Sequence, residues 1–182
     1  FKHALVRDAA YATMLKSRRR QLHASIGRAL VDHFPALTES QPEIVAHHFA
    51  EAKLDGKAIG YWVKAGRLAH TRWANREAAV FFEQALNALD TLPETRETLQ
   101  QAIDLRFDLK ASLFPLGQFE RAISCLQEAE VLANRLDDRR RLCHALVHMC
   151  QTLGLSGNPK DAVVSGEKAQ ALALSIADIP LQ

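Results

Sequence analysis

The stretch WVKAGRLAHTRWANREAAVFFEQA, residues 62–85, contains two helix-like segments separated by a short break. Apolar or small residues recur at steps of three and four on both sides of the break, as the buried face of an amphipathic helix requires. These residues are Trp62, Ala65, Gly66 and Ala69, then Ala78, Phe82 and Ala85. The break at residues 73–75 leaves room only for a tight turn, and short links make neighbouring helices antiparallel. The stretch therefore predicts a helical hairpin.

The same spacing recurs twice further along the chain. The later copies are Leu109 and Leu113 with Ala122, Leu126 and Ala129, and Leu146, Met149 and Leu153 with Ala162 and Ala169. The motif at residues 62–85 resembles the tetratricopeptide pattern, W-x-x-L-G-x-x-Y followed by A-x-x-x-F. Its key alanines at 78, 122 and 162 lie 44 and 40 residues apart, so the helices are longer than in the standard unit of about 34 residues. We expect an all-α fold of antiparallel helix hairpins, stacked as a tetratricopeptide-like right-handed solenoid.

Turn signals divide the chain into two parts. We expect residues 1–54 to form a helical segment and residues 55–182 to form about three hairpins, at 55–92, 94–137 and 138–178. Gly117 and Gly157 each lie five residues before a key alanine, where a turn with positive φ is expected. Asn75 is the polar counterpart expected in the first hairpin.

Helix ends in the first part are predicted from capping residues. Ser17 is the expected N-cap of a helix that stops at Phe34-Pro35, because the residue before proline is disfavoured in the helical region. The motif Ser40-x-x-Glu43 has the form of a capping box for a second helix, which runs to about residue 52.

The composition is that of an ordinary globular chain. Among 182 residues, 48% are hydrophobic, and Lys and Arg (23) nearly balance Asp and Glu (21). The 3 cysteines form no C-x-x-C pair and no even set, which favours reduced thiols in the cytoplasm. No apolar run approaches the roughly 18 residues of a membrane span. The first residues contain no Met and no signal-peptide core, so the chain is expected to be a fragment of a longer protein.

The charge is unevenly distributed. Residues 1–33 carry seven Lys or Arg against two Asp, a net charge of +5, while the remainder carries −3. Arg18, Arg19 and Arg20 lie in this basic segment and are expected to contact a preceding domain. Nucleic-acid binding is the weaker alternative, since charged helix faces are usually solvated or salt-bridged. We expect no nucleic-acid partner and no membrane.

Four short motifs within residues 1–66 resemble a known region of bacterial signalling proteins. They are FKHALVRDAAY at 1–11, RRRQLH at 18–23, AHHF at 46–49 and YW-x-x-AG at 61–66. This succession resembles the tetratricopeptide-like region of class III adenylate or guanylate cyclases that carry a central signalling ATPase of the AAA or STAND-like type. Large ATP-binding LuxR-type transcription regulators have a similar region, and the choice between the two parents stays open.

The resemblance implies that residues 1–54 are the end of a winged-helix-like region with linker helices. It also implies a non-catalytic regulatory module that couples partner binding to ATPase and effector domains. His3 would be a nucleotide-sensing histidine in such a parent. The chain itself has no phosphate-binding loop, because Gly56-Lys57 lacks a glycine five residues earlier. We expect no cofactor in this fragment.

A groove lined by the first helix of each hairpin is the predicted partner site. Its candidate residues mix apolar anchors with a few charges, which suits a protein or peptide partner. They are Val63, Arg67, His70, Asp104, Phe107, Phe114, His144, Val147 and Gln151.

Catalytic chemistry has weak support. His144 and His148 are four residues apart with Cys143 and Cys150 nearby, but Cys143 and His144 point about 100° apart on a helix and a closed zinc site needs four convergent ligands. We expect no metal and no catalytic residue. A small metal- or thiol-dependent helical enzyme remains the alternative of another class.

The end of the chain, IADIPLQ at 176–182, lacks a polar capping helix. Repeat arrays need a polar outer face at their ends. Further repeats of a longer parent, or a second copy in a homodimer, are expected to cover the last hairpin.

Overall fold

Nine α-helices and one 3-10 helix make up the part of the chain that the structure, a computed structural model, describes, residues 13–177. The helices, numbered α1 to α9 in chain order, are Lys16–His33, Pro35–Ser40, Pro42–Glu51, Asp55–Thr71, Asn75–Leu89, Arg96–Leu113, Phe119–Arg135, Arg139–Leu155 and Pro159–Ala177. The 3-10 helix Phe114–Leu116 follows α6. No strand occurs in residues 13–177, and the predicted all-α class is confirmed.

Five links between helices share one backbone geometry. Each has a residue with φ between 51° and 88° just after the helix, namely Lys53, Trp73, Gly117, Asp137 and Gly157. The next amide then donates to the carbonyl five residues back, as in Ala74 N to Ala69 O at 3.0 Å. This is the Schellman arrangement, which satisfies carbonyl groups at a helix end. The positive-φ residues at 53 and 73 are 20 residues apart, and so are those at 117 and 137 and those at 137 and 157. This spacing is the length of one helix plus one link.

The positive φ predicted at Gly117 and Gly157 is confirmed, with values of 70° and 88°. The expectation for Asn75 is wrong, because Asn75 is the first residue of α5 and the left-handed residue is Trp73. A side chain in this conformation costs about 1–2 kcal/mol. The Trp73 side chain is also 83% exposed.

The predicted end of α1 is correct and its predicted start is not. The helix stops at His33, and Phe34 donates its amide to Leu30 O at 3.0 Å. Ser17 lies inside the first turn, and no side chain caps the helix.

The capping box predicted at Ser40 is also wrong. Pro35 starts the short helix α2, so Ser40 is its last residue and donates its hydroxyl to Ala36 O at 2.8 Å. A capping box does occur before α6, where Thr98 N donates to Thr95 Oγ1 at 3.2 Å and Thr95 N donates to Thr98 Oγ1 at 2.8 Å. Thr98 thus takes the place of the usual Glu or Gln.

The core lies between helices that follow one another in sequence. From α3 onward each helix packs against the next, and α1 packs against α3. The residues with no exposed surface at these contacts are mainly alanines, which let helix axes approach closely. They are Ala46, Ala58, Ala78, Ala85, Ala122, Ala129 and Ala133.

Two glycines give the closest helix contacts. A Cβ atom added at Gly66 of α4 would lie 2.6 Å from Cε1 of Phe82 in α5. A Cβ atom added at Gly27 of α1 would lie 2.9 Å from Cε1 of Phe49 in α3. In both pairs a buried phenyl ring occupies the space that a side chain on the partner helix would need. The contact between α1 and α3 therefore has the same form as the contact between α4 and α5.

Candidate partner-binding groove

A cavity of about 400 Å³ lies among α4, α6 and α8, the first helices of the three predicted hairpins. Three predicted site residues line it: Val63 and Arg67 from α4, and Asp104 from α6. The other lining side chains are largely polar, and include Gln100, Gln101, Asp108 and Arg141.

Ion pairs cross this cavity from helix to helix. Arg67 donates from Nε and Nη2 to Oδ2 of Asp108 at 3.2 and 3.0 Å. Arg141 donates from Nε and Nη2 to the two carboxylate oxygens of Asp104, both at 2.8 Å. Arg141 also donates from Nη1 to Asp138 at 2.7 Å. The hydrogen bonds that Arg141 donates to Asp104 and then to Asp138 raise its pKa. Exposed pairs of this kind contribute at most about 1 kcal/mol each, so their main effect is to orient the polar walls of the cavity.

One to two turns further along α6 and α8, aromatic and basic side chains form a second cluster. The rings of Phe107 and His144 are 4.5 Å apart, and Nε2 of His148 lies 2.9 Å from Nε2 of His144. Lys110 Nζ lies 3.4 Å from Nδ1 of His148 and 4.6 Å from the centre of the Phe114 ring. Together with the cavity, this cluster forms what we call the groove.

Burial and like charge act together on the basic groups of the cluster. Burial lowers the pKa of Lys110. Burial also lowers the pKa of His148, followed by the charges of Lys110 and His144, while a hydrogen bond between His148 and Gln151 opposes the shift. The neutral imidazole is therefore favoured at His148.

We expect this pKa shift to appear in the pH dependence of stability. His148 has an ordinary pKa of 6.5 in the unfolded chain and a lower one when folded, so the unfolded state binds more protons as the pH falls. The contribution of His148 is full above its unfolded pKa and is lost on acidification. Urea unfolding at about pH 7.5 and about pH 5 should show a smaller loss of stability in His148→Gln than in the unmodified chain. An equal loss in both proteins would contradict this assignment.

The remaining predicted groove residues, Phe114, Gln151, Val147 and His70, differ in their contacts and exposure. Phe114 lies under Lys110 and makes an edge contact with Phe119 at 5.5 Å. Gln151 reaches His148, and Val147 is half-exposed on the same helix. His70, near the end of α4, has a buried Nδ1 atom that makes no hydrogen bond to the described residues.

Sequence reasoning missed the partners of the predicted residues. The cavity is completed by Asp108 and Arg141, and the aromatic and basic cluster by Lys110 and His148. Of these four, only His148 was considered from the sequence, as a metal ligand. Their spacing offered a signal, because Asp108 and His148 each lie one turn after a predicted residue on the same helix. Among residues 13–177, no group of three His, Cys, Asp or Glu side chains is arranged to hold a metal ion.

The arginines predicted to contact another domain lie in the first turns of α1. Arg18 and Arg20 are exposed, and Arg19 and Arg20 line a shallow depression with Glu51 and Lys53. These cations lie near the N-terminus of α1, which is the positive end of the helix dipole. No acidic residue occurs in the first turn of this helix. His3 lies outside the described residues.

A cluster of three histidines was not predicted. Nδ1 of His23 in α1 lies 2.9 Å from Nδ1 of His48 in α3, and the His47 ring is 5.8 Å from that of His48. Burial, then the charges of His23 and His47, lowers the pKa of His48, and Glu51 opposes the shift. The cluster links the two helices that the Gly27 and Phe49 contact also joins.

Cys125 is not an activated thiol. Burial and Glu128 raise the pKa of Cys125 to about 11, against the opposing charges of Arg106 and Arg121. Cys143 points its sulfur at Ala169 O, at 3.7 Å. A nucleophilic cysteine needs a lowered pKa.

Within residues 13–177, no helix combines the length and apolarity that crossing a bilayer requires. Neither the scan against protein-family models nor the search of curated proteins finds a match to this sequence.

Proposed function

We propose that the chain is a non-catalytic protein-interaction module whose hairpins stack as a tetratricopeptide-like right-handed solenoid. The observation that carries this proposal is the groove itself. Three helices that are not consecutive in sequence, α4, α6 and α8, contribute to one cavity, and ion pairs connect them across it. Alternate helices of a hairpin stack would line such a concave face.

The expected ligand is an extended or helical peptide segment of a protein partner. The groove offers paired charges and side-chain amides in its cavity, and apolar contact at Phe107 and Phe114 beside it. Peptide segments are commonly recognised by such a combination of polar contacts and apolar anchors.

In the longer protein, the module would be the regulatory part of a cytoplasmic bacterial nucleotide cyclase with a central ATPase, or of a LuxR-type regulator. This part of the proposal rests on the resemblance of residues 1–66 to such proteins. Arg18 and Arg20 are exposed in the first turns of α1, and this part of the helix would face the preceding domain. A bound partner changes the output only by as much as it prefers one domain arrangement over another.

Selection of peptides from a random display library on the purified chain tests the proposal. We expect selected peptides to bind Arg67→Glu at least about tenfold more weakly, because the reversed charge lies in the cavity and repels Asp108. Arg76→Glu is the matched control, since Arg76 is exposed on α5 and lines none of the cavities described here. Circular dichroism establishes that both variants are folded.

Equal binding to the unmodified chain and to Arg67→Glu would reject the groove as the peptide site. Selection of no peptide above background would reject the interaction function itself. Sequencing the flanking coding region decides between the cyclase and the transcription-regulator parent.

A further inference from the structure

Lys110 is a buried cation without a carboxylate partner among the described residues. Its side chain is only 6% exposed, and no ion pair reaches it. Lysine is almost never so buried unless it is paired, because removing an ammonium group from water is costly. Lys64, by contrast, is partly exposed and pairs with Glu39 at 2.5 Å.

The surroundings of Lys110 are basic or aromatic. Its polar contact is His148, and the ring of Phe114 lies beneath the ammonium group. Three carboxylates of α6 and α7 pair with arginines and not with Lys110. Asp104 is bonded to Arg141, Asp108 to Arg67, and Glu128 of α7 to Arg106.

The direction of the hydrogen bonds follows from these contacts. An ammonium group can only donate, so Nδ1 of His148 accepts from Lys110 and the ring proton is on Nε2. Nε2 of His148 then donates to Nε2 of His144, which is exposed at the surface. The Lys110 ammonium group is thus linked through His148 to the exposed ring of His144, and no ion pair with a carboxylate among residues 13–177 balances its charge.

We propose that Lys110, His144 and His148 form a binding site for an oxyanion, the carboxylate or phosphate group of a ligand in the groove. An anion beside these side chains supplies the missing counter-charge and favours protonated imidazoles, which add donors to the site. Phe107 and Phe114 provide an apolar surface next to the charge. The site deepens the proposed peptide-binding function, but a free anion tests it without any peptide.

Inorganic phosphate, in exchange for chloride at constant ionic strength, is the first probe. NMR titration of the histidine rings should show phosphate raising the pKa of His148, with tighter binding at about pH 6 than at about pH 8. Lys110→Met should weaken phosphate binding roughly tenfold or more, the scale of one charge-assisted hydrogen bond. Lys64→Met should leave it unchanged.

Acetate, titrated in parallel, distinguishes the two ligand chemistries: stronger binding of acetate identifies a carboxylate site, and stronger binding of phosphate a phosphate site. His144→Gln changes an exposed residue and gives a second variant if Lys110→Met does not fold; it should weaken anion binding and reduce its pH dependence. The proposal would be overturned if the unmodified chain responded to neither anion. It would also be overturned if the unmodified chain, Lys110→Met and His144→Gln responded equally. The result of the peptide selection, which tests the proposed interaction function, does not depend on the result of the anion titrations.

Discussion

Phe82→Ala is expected to lower the free energy of unfolding by about 3–5 kcal/mol, the usual cost of removing a buried phenyl ring. The Phe82 side chain is 1% exposed and lies directly over Gly66, where no side chain on α4 can move in to fill the space. The loss therefore combines the transfer energy of the ring with a cavity between α4 and α5. Chemical denaturation followed by circular dichroism measures it.

Phe34→Ala is the control for this prediction. Phe34 lies between α1 and α2 with 55% of its surface exposed, so its removal should cost less than about 1 kcal/mol. Equal destabilisation by the two substitutions would mean that the contact between Phe82 and Gly66 is not the centre of the packing between α4 and α5.

Gly66→Ala is the second large effect, with an expected loss of about 2–3 kcal/mol. Alanine favours a helix over glycine by about 1 kcal/mol, so propensity alone predicts stabilisation. The new methyl group would lie 2.6 to 2.8 Å from three atoms of the Phe82 ring, and relief of this overlap must separate α4 from α5. The steric cost exceeds the gain in propensity.

Gly60→Ala tests the sign of the argument in the same helix. A Cβ atom added at Gly60 meets nothing within 4 Å, so this variant should gain about 0.5–1 kcal/mol. The double variant Gly66→Ala with Phe82→Ala should lose less than the two single losses added together, because the methyl group enters the space left by the ring. Additive losses would show that the two residues are not in energetic contact.

Much of the fold could be predicted from the sequence, because helical periodicity and small residues are local signals. Ala78 and Ala122 were expected at helix contacts, and both are fully buried. The capping predictions failed where two local signals competed. Ser40 has the spacing of a capping box, but Pro35 starts a helix that uses the Ser40 hydroxyl for its own last turn.

The groove could be predicted only as a set of helix faces. Periodicity places Arg67 and Asp104 on the faces of their helices, but their partners depend on how far α6 is shifted along its axis relative to α4 and α8. That shift determines that Arg67 meets Asp108 and that Asp104 meets Arg141. The burial of Lys110 has the same origin, since nothing local distinguishes it from an exposed lysine.

The repeated left-handed links have a consequence for how the chain folds. Four of the five links are three residues long, and each helix from α3 onward packs against the next one along the sequence. Contacts between sequence neighbours need only short loops to close, and proteins dominated by such contacts fold in microseconds to milliseconds. The helices therefore assemble by local steps, in which each helix packs against the helix next to it in the sequence.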